Sequence, residues 1–160
     1  MAEIAILQRI REDRKREEMA RTAARWGACE KTALLFGRAI FGGFFLYNGI
    51  NHFLNREMMT GYSASKGVPY PEAAVASSGA MLVLGGLSVL AGVRPKLGTS
   101  LISAFLLGVT PKMHDFWNVQ DPQQRMNEQI NFSKNLALLG GALIAAAVPE
   151  PWPASMRPAR

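Results

Sequence analysis

Cysteine, histidine and the familiar catalytic motifs are scarce in this sequence. Cys29 is the single cysteine, which excludes an internal disulfide and a CxxC redox motif. The sequence also has no nucleophile elbow and no P-loop, the motifs that mark many hydrolases and nucleotide-binding proteins. The only histidines are His52 and His114. No short motif therefore defines an enzymatic reaction, and no residue is assigned a catalytic role.

Charged residues are absent from residues 73–93, although Lys, Arg, Asp and Glu make up 19% of the chain. In contrast, the first 32 residues hold 8 of the 18 Lys and Arg. This segregation is typical of an integral membrane protein, because charged side chains are costly in lipid. The basic balance, with a pI near 9.9, favours anionic lipid or an acidic partner protein over nucleic acid.

Four apolar segments predict membrane-spanning helices, since a helix needs about 20 apolar residues to cross a bilayer. They cover residues 32–53, 73–93, 97–117 and 130–148. The third segment is strictly apolar only from Leu97 to Thr110 and reaches the required length by continuing to Trp117. We expect Pro111 to bend or end this helix and to free a backbone carbonyl near Leu107.

Glycine and proline predict how the spans are connected and packed. Between the first two spans we expect a loop over residues 55–72, because Gly61, Gly67 and Pro69 interrupt a helix, and Pro71 should begin the second span. Three spans have a central glycine pair, which predicts notches for close helix packing, with kinks as the alternative. The pairs are Gly42–Gly43, Gly85–Gly86 and Gly140–Gly141. Arg38 should extend its side chain back toward the head groups.

These segments predict an all-α fold, an integral membrane antiparallel four-helix bundle over residues 32–148. A charged, amphipathic helix over residues 1–31 precedes the bundle, and a proline-rich tail over residues 149–160 follows it. If both termini are cytoplasmic, the inner segments hold 12 Lys and Arg and the outer loops hold four. The positive-inside rule therefore predicts a multi-pass protein with its N-terminus and C-terminus in the cytoplasm.

The N-terminal helix permits two interpretations. It lacks the order of basic, apolar and small residues that marks a cleavable signal peptide. Its densely charged middle is consistent with a solvated cytoplasmic helix. Alternatively, Ile4, Leu7 and Ile10 form an apolar stripe by which residues 1–31 contact other membrane protein subunits or the lipid surface.

Polar side chains are concentrated at the outer end of the predicted bundle. In the first span they recur on one helical face, as do those of the fourth span, and His114 and Asp115 lie between the two. The first set is Asn48, Asn51, His52 and Asn55, and the second is Glu128, Asn131 and Asn135. Phe53, Phe116 and Trp117 are candidates for the aromatic walls of a ligand site beside these polar side chains. A quinone head group needs donors and acceptors next to such walls, so quinone is a possible ligand.

Three alternatives to a quinone site are open from the residues alone. The polar side chains could form only a hydrogen-bond network between helices. His52, His114, Asp115 and Glu128 are metal-ligand types, but no local pair such as HxxxH supports a metal site, so no metal is predicted. Bis-histidine haem is disfavoured, because both histidines lie at the membrane edge, where haem would be poorly buried.

Four blocks of the chain resemble the DoxX family of small four-span bacterial membrane proteins, and the likeness extends over roughly residues 35–146. The blocks are GRAIFGGFFLYNGINHF, YSASKGVPYPEAAV, LGGLSVLAGVRPKLGTSLI and MHDFWNVQDPQQRMNEQINFSKNLALLGGAL. Related proteins occur as the small membrane subunit of a thiosulfate:quinone oxidoreductase, and others are linked to membrane responses to oxidative stress. The resemblance supplies no agreed catalytic residues.

Together, the residues and the resemblance predict an accessory subunit of a quinone-linked redox assembly in the bacterial inner membrane. The expected partners are the lipid bilayer and other membrane subunits. The alternative is a purely structural subunit of a larger membrane complex that has no ligand of its own. A stand-alone enzyme or transporter is a third hypothesis, and four spans without an intramembrane acidic chain argue against a pump.

Overall fold

The computed structural model describes residues 2–24 and 26–156, and over that part of the chain it is helical without strands. The helices are α1 (Ala2–Ala24), α2 (Ala28–Leu54), α3 (Arg56–Ser65), α4 (Pro71–Ala91), α5 (Pro95–Met113) and α6 (Pro122–Ala147), with a single 3-10 turn over Phe116–Asn118. Of these, α2, α4 and α6 are long and apolar enough to cross a membrane. The all-α class is therefore confirmed, and the protein belongs in a lipid bilayer.

Proline and polar caps explain where several helices begin and end. Pro71, Pro95 and Pro122 occupy the first turns of α4, α5 and α6, where a missing N–H costs nothing. The Asp121 side chain accepts a hydrogen bond of 2.7 Å from the backbone N–H of Gln124 and so caps α6. Gly92, at φ 65°, ends α4 in the left-handed conformation that glycine adopts without strain. The prediction that Pro71 begins a helix is confirmed.

Four of the helices pack in chain order, α2 on α4, α4 on α5 and α5 on α6. Their shared core consists of buried apolar side chains from each of the four, among them Phe45, Leu82, Ile102, Leu106 and Ala142. Because the chain reverses direction between them, the end of α2, the start of α4, the end of α5 and the start of α6 lie at one end of the molecule. Only α2, α4 and α6 of the described helices are long and apolar enough to span a membrane. A membrane-spanning bundle that also includes α5 therefore stays a prediction.

Glycines at the contact between α2 and α4 allow the two backbones to pack closely. A Cβ on Gly86 would lie 2.6 Å from the backbone nitrogen of Leu46, and one on Gly42 would lie 2.9 Å from the carbonyl oxygen of Gly86. Any side chain at either position would collide with the opposite backbone. The packing role is thus confirmed for these two glycines. Within this chain it is wrong for Gly43 and Gly140, where a Cβ would meet no described atom within 4 Å.

Several predicted boundaries need correction. Residues 55–72 are not simply a loop, because α3 forms over Arg56–Ser65 and contains Gly61, whose missing side chain leaves only open space. The third apolar helix does not continue to Trp117, since α5 ends at Met113, two residues after Pro111. At the N-terminus, the helix predicted over 1–31 is divided: residues 28–31 already belong to α2, which is capped where the Glu30 side chain accepts a hydrogen bond from the N–H of Gly27.

Arg38 does not extend toward head groups but is buried, with 5% of its surface exposed. Its guanidinium donates to the carbonyls of Val89 (3.1 Å), Leu90 (2.6 Å) and Pro153 (2.7 Å). The last carbonyls of a helix have no partner inside it, and the planar guanidinium satisfies two of them at the end of α4. The same side chain therefore binds the C-terminal tail to α4.

The tail packs over the turn between α4 and α5. Residues 148–156 contain no regular helix, as the prolines predict, while residues 157–160 lie outside the described part of the chain. Trp152 is buried beside Arg38, and the backbone N–H of Met156 donates to the carbonyl of Ala91 at 3.0 Å. Ser155 Oγ donates to the carbonyl of Gly92 at 2.7 Å. This end of the molecule is thus closed by the tail, opposite the end that holds α3.

Candidate functional site

Polar side chains from three elements converge at the end of the molecule that holds α3. Lys66 follows the last turn of α3, His114 and Asp115 follow α5, and Glu128 lies in the second turn of α6. Tyr62 lies one helical turn before Lys66, on the same face of α3. We call Tyr62, Lys66, His114, Asp115 and Glu128 the polar cluster.

Two close pairs form the centre of the polar cluster. His114 Nδ1 lies 2.7 Å from Glu128 Oε2, and these side chains are only 21% and 14% exposed. Because an ionised carboxylate only accepts hydrogen bonds, Nδ1 carries the proton in this pair. Lys66 Nζ donates to Asp115 Oδ1 at 3.0 Å, with side-chain exposures of 19% and 27%. Asn118 adds a second hydrogen bond to Asp115, of 3.2 Å.

The environment of the second pair keeps both of its members charged. Hydrogen bonds from Lys66 and then Asn118 hold the pKa of Asp115 below its usual range. Burial lowers the pKa of Lys66, but the hydrogen bond to Asp115 and nearby negative groups outweigh burial and raise it overall. The contribution of Asp115 to stability is lost only as the pH falls through its lowered pKa, and that of Lys66 only as the pH rises through its raised pKa. The ion pair therefore persists across neutral pH.

Tyr62 remains a hydrogen-bond donor in this setting. Burial raises the pKa of its phenol, the charges of Glu128 and Asp115 raise it further, and the charge of Lys66 opposes them. The Lys66 ammonium lies 5.9 Å from the centre of the Tyr62 ring. The phenol therefore stays protonated at neutral pH.

Aromatic rings accompany the polar cluster. Phe116 and Trp117 contact each other edge to face, with ring centres 5.1 Å apart. Phe132 of α6 completes the group, at 5.5 Å from Phe116 and 5.9 Å from Trp117. Phe53, the third candidate wall, lies elsewhere, against the position of Gly79 on α4. The structure thus places two of the three candidate walls together and adds a third ring from α6.

The polar stripe of α2 mostly bonds to its own helix. His52 Nδ1 lies 2.8 Å from the carbonyl of Asn48, and the His52 ring meets Phe105 edge to face at 6.1 Å. Asn48 donates to the carbonyl of Phe44 at 2.8 Å, and Asn55 donates to the side chain of Asn51 at 2.5 Å. None of the hydrogen bonds between described residues connects this stripe to the polar cluster.

The remaining predicted residues, Asn131 and Asn135, are half-buried on α6. Their side chains make no hydrogen bond to any other described residue. The structure therefore brings together His114, Asp115 and Glu128, and leaves His52, Asn48 and Asn51 on a separate surface.

Two members of the polar cluster, Lys66 and Tyr62, were not among the predicted site residues. Tyr62 lies on α3 and Lys66 directly follows it, in the segment predicted as a loop. The four-residue interval between them places them on one face of a helix, and this is the signal that could have found them. Thr60, also on α3, has a buried hydroxyl with no partner among the described residues.

The chemistry that this arrangement supports is hydrogen bonding and proton transfer. Lys66 and Tyr62 are donors, while Asp115, Glu128 and the unprotonated Nε2 of a neutral His114 are acceptors. Within the described residues, no group of three or more His, Cys, Asp and Glu side chains could hold a metal ion. The alternative of a metal bound by His52, His114, Asp115 and Glu128 is therefore not supported, because only His114 and Glu128 among the four are in contact.

Comparison with known proteins gave one family. A model of the DoxX family matches residues 33–115, which include α3, α4, α5 and, at the end of the match, His114 and Asp115. No curated protein and no solved structure matches the chain. The matched segment is shorter than the resemblance noted in the sequence, so the likeness over 116–146, which includes Glu128, stays a prediction. Because the match covers more than half of the 160 residues, the chain belongs to the DoxX family.

Proposed function

We propose that this chain is an accessory subunit of a quinone-linked redox assembly and that the polar cluster holds the quinone head group. The observation that carries the proposal is the pair of half-buried contacts, His114–Glu128 and Lys66–Asp115, beside a three-ring aromatic group at one end of apolar helices. A quinone tail requires apolar surface, and its two oxygens require donors. Tyr62 supplies a neutral donor and Lys66 a charged one, while His114 Nε2 can accept a hydrogen bond from the hydroxyl of the reduced quinone.

The polar cluster also suits the proton chemistry of a quinone. Reduction of a quinone requires protons at both oxygens, so a bound head group needs a nearby acid or base. Glu128 accepts a hydrogen bond from His114, which orients the imidazole and gives it a partner for a transferred proton. In this proposal the electrons come from another subunit of the assembly.

The proposed setting is the bacterial inner membrane, with α2, α4, α5 and α6 crossing it and both termini in the cytoplasm. The position of α5 between α4 and α6 supports a fourth crossing helix. Arg94 and Lys96, between α4 and α5, would then lie on the cytoplasmic side. The polar cluster would face the other side.

Cysteine labelling tests this orientation. Cys29 is exposed at the start of α2, at the end of the molecule opposite Asp121. We expect an impermeant maleimide to label Asp121→Cys, in a Cys29→Ser background, from outside intact spheroplasts. The wild-type Cys29 is the matched control and should react only in inverted vesicles. Labelling of position 121 from the cytoplasmic side alone would contradict the orientation.

Purification from native membranes tests the function. In mild detergent, we expect the chain to elute with quinone and with at least one membrane subunit that carries a redox cofactor. The structural alternative also predicts partner subunits. It predicts no more co-purifying quinone than is found with an unrelated membrane protein purified in the same way. Elution without quinone and without a redox partner would overturn the proposal.

A further inference from the structure

The outer face of α6 is uncovered. This helix packs on α5 and meets Phe41 of α2 near Gly141, and among its described residues only Ala142 is fully buried. Large apolar side chains on the rest of its surface are exposed, namely Ile130, Leu136, Leu143 and Ile144. Lipid could cover a wholly apolar face of this kind.

Lys134 makes this face unlike a lipid-facing surface. It lies within the apolar part of α6, four residues after Ile130, and its side chain is exposed. Lys134, Gln129, Ile130, Ser133 and Ala137 line a shallow surface depression. Among the described residues, no carboxylate lies within ion-pair distance of the Lys134 ammonium. A charge at this position is unfavourable in lipid unless an opposite charge or the head groups compensate it.

We propose that this face of α6 binds a transmembrane helix of another protein, which carries an aspartate or glutamate at the depth of Lys134. The carboxylate would neutralise Lys134 and accept its hydrogen bonds. Close approach is possible because Ser133, Ala137 and Gly140 are small, and the space beside Gly140 is open. A second copy of this chain is a poor occupant, since a two-fold interface through this face would bring two Lys134 side chains together.

This surface is distinct from the polar cluster and from α1. Lys134 does not contact any member of the polar cluster through an ion pair or hydrogen bond between described residues. Loss of the partner helix and loss of quinone binding are thus separable results. A variant at Lys134 should bind quinone as the wild type does.

Site-specific photocrosslinking identifies the occupant. We expect benzoylphenylalanine at Ala137 to form an adduct in native membranes with an apolar segment of another protein that contains Asp or Glu. Ile40, on α2 and 72% exposed, is the matched control position and should not give this adduct. Adducts from position 137 with phospholipid alone, or with a second copy of this chain, would overturn the proposal.

Charge variants test the role of Lys134 directly. We expect Lys134→Met and Lys134→Glu to lower the yield of the adduct at least tenfold, and Lys134→Arg to retain it. Exchange of the partner's carboxylate for lysine should restore the yield of Lys134→Glu. Each variant should keep the thermal transition of the wild type, because the side chain is exposed. An undiminished adduct yield in Lys134→Met would overturn the proposed ion pair between Lys134 and a carboxylate of the partner.

Discussion

Replacement of Arg38 with methionine should lower the free energy of unfolding by about 3 kcal/mol. The variant leaves the carbonyls of Leu90 and Pro153 without the guanidinium donor, while the carbonyl of Val89 keeps a hydrogen bond from the N–H of Gly92. Each unpaired buried carbonyl costs about 1–3 kcal/mol, and removal of the buried charge offsets part of that sum. Reversible unfolding in mixed micelles measures the change.

Two further variants separate the hydrogen bonds of Arg38 from its charge. Arg38→Lys keeps the charge but cannot reach three carbonyls from one nitrogen, so it should be nearly as unstable as Arg38→Met. Lys96→Met removes an exposed positive charge from the same end of the molecule and should change stability by less than about 0.5 kcal/mol.

The C-terminal tail should also detach from α4 in Arg38→Met. Trp152 is 2% exposed in the native protein, and its fluorescence should shift to the red in a chain without the other two tryptophans. A variant with wild-type stability and wild-type emission would contradict the role given to Arg38.

The second large effect concerns the polar cluster. His114→Ala, Asp115→Asn and Lys66→Met should each weaken the binding of a short-chain quinone about tenfold, the loss expected for one hydrogen bond to a charged or polar group. His114→Ala removes the Nε2 acceptor and leaves Glu128 without its partner. Asp115→Asn breaks the ion pair that positions Lys66, and Lys66→Met removes the ammonium itself. Titration of the purified protein in detergent measures the dissociation constants.

The behaviour of each variant without ligand separates the two hypotheses for the polar cluster. If the cluster only joins helices, the variants should lower the unfolding temperature, while the wild type binds no quinone. If the cluster is a ligand site, all three should keep their helical content, and quinone affinity should fall more than thermal stability does.

The helix pattern was readable from the sequence where the chain has strong local signals. The sequence predicts α4 almost to its ends, because Pro71 starts it and the uncharged segment ends before Arg94. The same reasoning is wrong for α3, since Gly61 does not interrupt the helix: an exposed glycine only weakens one. It also extended the third apolar helix past Met113, because composition alone does not distinguish a continuing helix from a 3-10 turn.

The candidate site was readable only in part, for a different physical reason. Helical periodicity tells which side chains share a face, and it grouped Glu128 with Asn131 and Asn135 as well as His52 with Asn48. It does not give distances between helices, so it could not separate His52, which lies against Phe105, from His114, which lies against Glu128. Arg38 shows the same limit, because its partners are carbonyls distant in the chain.

The most direct test of the quinone site is a comparison of two single variants at the same end of the molecule. Arg56 forms an exposed ion pair with Glu72, at 3.4 Å, and lies outside the polar cluster. In one quinone titration, His114→Ala should raise the dissociation constant about tenfold, while Arg56→Gln should leave it unchanged. Equal dissociation constants for wild type, His114→Ala and Arg56→Gln would contradict a quinone site at the polar cluster.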